Sequence, residues 1–284
     1  MNPLSHLATI DRRSWLRMAA AGCAGLAVER PLRSSSLGKV SEPIRPNSVL
    51  RLFNGKDLTG LYGWLKDTHY QDPKKVFSVE NGVIRITGED PGYLATQNAY
   101  RDYRLVVEYK WGEKTFGAKT VRNSGILLHG TGADGNKSPW MASIECQVAQ
   151  GCVGDLIVIR GKGDEGKEIP VTITTDTVMA SDGNTRWKKG GTPTKYSGKQ
   201  FWWSNHEPGF EEILDARGKN DVDSPLGEWT KLECTCAGDR ISVAVNGTTV
   251  NECYNVFPQA GKILLESEGF EILFRKFELY PLKG

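Results

Sequence analysis

Three strand-length runs near the C-terminus, joined by two-residue turns, constrain this chain most. EWTKLECTC (228–236) meets a Gly238-Asp239 turn, RISVAVN (240–246) follows, and Asn246-Gly247 leads into TTVNEC (248–253). Each run alternates polar and apolar residues with the period of two that a strand imposes. Asn-Gly supplies the positive backbone angles of a tight hairpin. The stretch reads as an antiparallel three-stranded meander. The same grammar recurs upstream. Residues 77–80 and 83–87 flank Asn81-Gly82, another hairpin signal. In YRLVVEYKW (103–111), Tyr103, Leu105, Val107, Tyr109 and Trp111 share one face. Shorter strand runs fall at 50–53, 92–96, 155–160, 171–174, 261–266 and 270–280. No long amphipathic helical pattern is present. With 32 Gly and 13 Pro to make turns, the pattern predicts an all-β antiparallel β-sandwich.

The first 27 residues follow a different logic. Arg12-Arg13 precede a weakly apolar, Ala-rich run too short to span a bilayer. This is a twin-arginine export pattern, with cleavage expected after Ala27 and a periplasmic or extracellular destination. Ala21-Gly22-Cys23 also resembles the end of a lipobox, which makes a lipid anchor at Cys23 the competing reading. Residues 28–48 are Ser/Pro-rich and read as a flexible tether. That leaves 49–284 as one sandwich domain, interrupted at about 179–226 by an irregular stretch holding Trp187, Tyr196, Trp202, Trp203 and His206. Aromatics at that density argue against disorder, and the stretch is expected to form a wall or lid.

Three arginines against one aspartate in residues 1–27 account for the whole formal charge of +2. A near-neutral remainder offers no electrostatic case for nucleic acid or an anionic membrane. Beyond Cys23 stand Cys146, Cys152, Cys234, Cys236 and Cys253, an odd number without zinc-site spacing. One disulfide would fit, but its partners cannot be read from spacing.

Chemistry-bearing residues concentrate in RNSGILLHG (122–130) and SIECQ (143–147). Ile126 and Leu128 point to one face of the first run, and Asn123, Leu127 and His129 to the other. Ile144, Cys146 and Val148 share a face of the second run; Glu145 and Gln147 share its opposite. If the two strands pair, Asn123, His129, Glu145 and Gln147 lie together on one sheet face. Such a face is either a solvated exterior or a substrate-binding surface.

LFNGKDLTGLYGW (52–64), NSGILLHG with IECQ, and ILLESEGFEILFRKFELYPL (263–282) together resemble the 3-keto-disaccharide hydrolase family. The resemblance spans about residues 50–282. It implies a concanavalin A-like jelly-roll sandwich and cleavage of 3-keto-glycosides. The chain departs from the family pattern at several positions. His129 stands where many members have Arg, Glu266 and Glu268 where many have Gln and then His or Glu, and Lys276 where Asn often follows Arg275. The stretch 179–226 is also longer than in a minimal member.

A ketone at C3 acidifies the C2 hydrogen, so removing it gives an enolate that can expel the glycosidic oxygen at C1. Water then adds back. The route needs a base, donors for the enolate oxygen and an acid for the leaving group, and in principle no metal or cofactor. Glu145 is the expected base: a partly desolvated carboxylate there would have the raised pKa a base needs. Arg275 and His129 are candidates to stabilise negative charge, and Gln147 and Asn123 to bind sugar hydroxyls. Glu266 and Glu268 are two apart and share a face, where they could divide acid and base roles or hold a calcium ion. No DxDxDG-type loop supports the metal, and none is expected. Trp187 and Trp203 could stack on sugar rings; Trp229, within EWTKL, reads as core. The expected partner is an oxidised di- or oligosaccharide. The alternative is a non-catalytic carbohydrate-binding or adhesion module. Convergence of Glu145, His129, Glu268 and Arg275 in one pocket would favour the enzyme.

Overall fold

The computed structural model describes residues 41–116, 121–136, 139–163 and 166–283. The expected export segment, Cys23 and most of the tether lie outside these residues. The strands are β1 (Leu50–Arg51), β2 (Leu61–Leu65), β3 (Phe77–Glu80), β4 (Val83–Ile86), β5 (Gly92–Thr96), β6 (Tyr103–Thr115), β7 (Asn123–Thr131), β8 (Ala142–Ala149) and β9 (Leu156–Ile159). They continue with β10 (Thr172–Met179), β11 (Thr185–Trp187), β12 (Thr192–Lys195), β13 (Trp202–Trp203), β14 (Thr230–Ala237), β15 (Arg240–Val245), β16 (Thr248–Phe257), β17 (Lys262–Ser267) and β18 (Phe270–Pro281). Among the described residues no helix occurs.

The strands form two sheets. The large one runs β13-β11-β10-β16-β15-β14-β6-β18-β4-β3, with β1 against β18 and β12 against β10. The small one runs β2-β5-β17-β7-β8-β9. Among the described strands, β11 and β13 pair in parallel and the others antiparallel. The chain is thus the all-β antiparallel sandwich expected from its turns. Asn81 and Gly82 (φ 50° and 77°) and Asn246 and Gly247 (47° and 85°) both adopt the left-handed angles of a type I′ hairpin. The predicted meander is β14–β15–β16, paired in sequence.

Alternation decides which face is buried. Tyr103, Leu105, Val107, Tyr109 and Trp111 of β6 enter the central core with Ile126, Leu128, Ile144, Cys146 and Val148 of the small sheet. Each such side chain contributes roughly 1.5–3 kcal/mol on burial. The other face of β6 carries Arg104, bonded to Glu233, and Glu108, bonded to Arg275. Unusually for an antiparallel sheet, the small sheet is buried on its second face too. Trp64, Tyr93, Ala95, Leu127, Met141 and Leu264 cluster there. That second apolar layer surrounds the polar residues discussed below.

The NGKDLTG motif makes a turn. Asn54 Oδ1 accepts from the Lys56 and Asp57 amides (2.7 and 2.9 Å), and Asp57 Oδ1 accepts from Thr59 N (2.9 Å). Side chains thereby replace missing ladder partners before β2.

Four expectations change. Within the tether, Ile44 docks: its amide donates to Ala99 O (2.8 Å) and its carbonyl accepts from Arg101 N (3.0 Å). The stretch 179–226 contains β11, β12 and β13, which extend the large sheet. Trp229 is half-buried outside the core, beneath Lys110 and Arg275 (5.0 and 4.6 Å from the ring centroid). All five described cysteines are free; Cys146, Cys234, Cys236 and Cys253 are buried and Cys152 is half-buried. A hydrogen bond with Cys146, then burial, lifts the Cys234 thiol well above its usual range.

Candidate active site

Gly125 of β7 marks the centre of the outer face of the small sheet. Leu127 pairs with Glu145 and Gly125 with Gln147, while β17 lies on the other side of β7. A methyl group at Gly125 would fall 2.4 Å from Glu266 Oε2 and 2.8 Å from Glu145 Oε1. The two carboxylates therefore converge over the one residue that leaves room for them. Both are buried, at 5% exposure for Glu145 and 1% for Glu266. Glu268, one strand period further along, accepts from Asn123 Nδ2 at 2.8 Å. Glu145, Glu266, Glu268, Asn123 and Gln147 thus share the expected polar face.

On one flank stands an aromatic group. Tyr93 lies opposite both Glu266 and Trp64. Trp64 stacks on Tyr93 and on His69 (centroids 5.8 and 5.4 Å). Asp134 accepts from the hydroxyls of Tyr62 (2.8 Å), Tyr70 (2.9 Å) and Tyr93. Burial, reinforced by the Asp134 bond, holds the Tyr93 hydroxyl protonated far beyond its ordinary range.

On the other flank is a cleft of about 440 Å³, lined by Asn123, Gln147, Gln150, Gln200, Trp202, His206, Phe210 and Glu212, among others. The stretch 200–215 is fastened to the small sheet at two points. Asp155, with no exposed surface, accepts from Gln200 Nε2 (2.7 Å) and Trp203 N (3.0 Å). Arg122 grips Asp215 through Nε (2.6 Å) and Nη2 (3.2 Å), and Gln150 bonds Asp215 through both its side-chain ends. Asp215 is correspondingly held below the usual carboxylate range, first by Arg122.

Burial drives Asp155 the opposite way, up to about 8, against the pull of its two hydrogen bonds and Arg186. A folded-state pKa above the unfolded one means the folded form holds the proton longer. Its contribution is full below about pH 4 and is lost as pH rises through 8. Asp155→Asn should therefore flatten the fall in melting temperature between pH 5 and 8.5, an effect on the order of a few kcal/mol. An unchanged slope would show that Asp155 is ionised throughout.

Four expected site residues lie elsewhere. His129 has no exposed surface; Nδ1 donates to Pro258 O at 2.8 Å and the ring stands edge-on to Tyr103. A register shift between Leu128 and Thr131, with His129 at φ 57°, breaks the alternation and takes the ring inward. Burial carries its pKa down to about 4, so it stays neutral in the core. Arg275 belongs to the outer face of the large sheet, where its Nε sits 2.5 Å from Glu108 Oε2. Trp187 lines a separate cleft with Asp176, Lys189, Arg240, Glu252 and Tyr254. Trp203 packs against the central core, and its neighbour Trp202 lines the 440 Å³ cleft. Among the described residues, no cluster of three or more His, Cys, Asp or Glu is arranged to hold a metal ion.

The sequence profile of the 3-keto-alpha-glucoside-1,2-lyase-like domain matches residues 49–280. The chain belongs to this family. No curated protein matches it in sequence. Among solved structures it is similar to a candidate glycosyl hydrolase from Parabacteroides distasonis, at 18% identity and TM-score 0.49, covering 83% of this chain and 94% of that one. A carbohydrate-binding module from Bacillus subtilis is similar at 8% identity and TM-score 0.44, over 77% and 94% of the two chains. A Bacillus licheniformis beta-glucanase is similar at 12% and 0.41, over 84% and 100%. As a member of the 3-keto-glucoside lyase-like family, the chain is a carbohydrate-active sandwich. Within that family frame, Gly125 and Tyr93 are site residues that the sequence does not single out, whereas Trp202 stands in the stretch expected to form a wall. Trp64 and Gly125 do lie within the stretches that carried the resemblance.

Proposed function

We propose that this protein cleaves glycosidic bonds of 3-keto-glycosides by elimination and rehydration. The observation that carries the reading is the convergence of Glu145 and Glu266 over Gly125. Glu145 takes the C2 proton, and the freed electron pair forms the C2–C3 enolate. The enolate collapses to a C1–C2 double bond and expels the glycosidic oxygen, which receives a proton from the second carboxyl group. Water then adds across the double bond, hydroxyl to C1 and proton to C2. Glu266 suits the acid by position, with Glu268 and Asn123 beside it to bind hydroxyls. Ordinary glycoside hydrolysis would use the carboxylates at C1 instead.

Incubation with 3-keto-glucosides and their unoxidised parents tests the proposal. Cleavage of the keto compounds alone, with solvent deuterium entering C2, is expected. Equal cleavage of both would point to an ordinary glycosidase. Binding without cleavage would leave a carbohydrate-binding module.

A further inference from the structure

On the outer face of the large sheet, the opposite sheet from Glu145 and Glu266, lies a cleft of about 360 Å³, within the ~300–1,000 Å³ range of small-molecule sites. We infer that it is a second carbohydrate site, selective for a sugar that bears one carboxylate, as a uronic acid does. Nothing in it depends on the cleavage proposed above. Strand register builds it. Thr235 pairs with Ser242, Ser242 with Glu252, and Ala237 with Arg240. Thr235, Ala237 and Ser242 are short, so the surface dips at them, and Arg240, Glu252 and Tyr254 stand round the dip.

Arg240 carries the assignment. In the other strands of the large sheet, Arg51, Arg85, Arg104, Arg186 and Arg275 meet the carboxylates of Glu278, Glu271, Glu233, Asp182 and Glu108 respectively. Arg240 meets no carboxylate among the described residues; its guanidinium lies over the Tyr254 ring, 5.6 Å from the centroid. Tyr254 is itself held: its hydroxyl donates to Asp176 Oδ1 (3.0 Å), and Asp176 Oδ2 accepts from Gly190 N (3.0 Å). The guanidinium is thus set in place with its donors unspent, ready to take a carboxylate through two parallel hydrogen bonds. The rest of the lining suits a sugar. The Thr235 and Ser242 hydroxyls line the cleft and make no hydrogen bond among the described residues. Glu252 holds Lys189 (3.3 Å). A carboxylate has about four acceptor sites, so Asp176 and Glu252 both keep room for ligand hydroxyls. Trp187 and Tyr254 bring ring carbon to the lining for C–H groups. Lys189 and Arg240 balance Asp176 and Glu252. One negative charge on the ligand is therefore matched at Arg240, whereas a phosphate dianion would meet two carboxylates.

Calorimetry on the wild-type protein with methyl glucuronide, methyl glucoside, acetate and glucose 6-phosphate tests the site. The glucuronide should bind about tenfold more tightly than each of the others, the scale of hydrogen bonds to a charged group. Arg240→Gln should remove most of its advantage over the glucoside, and Ser242→Ala should weaken it about threefold. Glu145→Gln should leave glucuronide affinity within about twofold, because distant sites act independently. Equal binding of glucuronide and glucoside, or an advantage untouched by Arg240→Gln, would overturn the inference. So would loss of glucuronide binding in Glu145→Gln, which would put the ligand at the candidate active site. Acetate as tight as the glucuronide would overturn the selectivity for a sugar, and tighter glucose 6-phosphate would overturn the single-charge match. If Arg240→Gln does not fold, Arg240→Lys, which keeps the charge and loses the paired donors, and Ser242→Ala decide: unchanged glucuronide affinity in both would overturn the site.

Discussion

Glu145→Gln is expected to abolish turnover of a 3-keto-glycoside without unfolding the protein. Glu145 sits mid-strand on β8 between Ile144 and Cys146, both fully buried in the central core. Those neighbours hold the strand, so its packing does not depend on the acid. Glutamine preserves size and hydrogen-bonding reach but cannot accept the C2 proton. Losing a general base typically costs ~10²–10⁴-fold, and here the base starts the reaction. Exchange of the C2 hydrogen with deuterated solvent should stop in parallel, because exchange needs the base and not the leaving group. The melting temperature should stay level or rise slightly, as often follows removal of an active-site charge. Normal exchange with lost cleavage would move Glu145 to the acid role. Normal rates of both would remove it from the chemistry.

Gly125→Ala should produce nearly as large a loss by a different route. The added carbon would lie inside contact distance of both carboxylates, at 2.4 and 2.8 Å. Gly125 is not among the positive-φ residues, so alanine brings no backbone strain. The only relief is for Glu145 and Glu266 to move apart. Misplacing reacting groups by ~1 Å can cost ~10² in rate, and overpacking a tight site costs about 1–3 kcal/mol. Kinetics should show the loss mainly in kcat, with a modest drop in melting temperature. Full activity in Gly125→Ala would mean that the reacting carbon does not sit over this point.

These two residues show what could be read from sequence. Alternation placed Glu145 and Gln147 on the outer face because β8 is regular throughout. The same count failed for His129, where a bulge in β7 consumes one extra residue and reverses the sides. Nothing in LLHGTG announces that bulge. Arg275 failed for another reason. Period-two patterns assign faces, but they do not say which of two sheets a strand joins, and β18 joins the large one. Trp202 and Trp203 are adjacent, so one had to face the cleft and the other the core; only the fastening of residues 200–215 decides which. Gly125 was invisible because its significance is the side chain it lacks. The fold itself was legible, since turns and alternation are local signals.

The buried thiols bear on when the protein must fold. Cys146 reaches Cys234 from the opposite sheet, and Cys236 and Cys253 are buried in the same core. Unfolded in an oxidising environment, the described residues would offer five thiols, an odd set free to cross-link wrongly. Once the sheets close, the four core thiols are shielded from oxidants, and those of Cys234, Cys236 and Cys253 are pushed up, away from the reactive thiolate form. If the twin-arginine segment carries this chain outward, the sandwich has to close on the reducing side first. Its interior is then a chemical record of where it was assembled, as opposed to where it works.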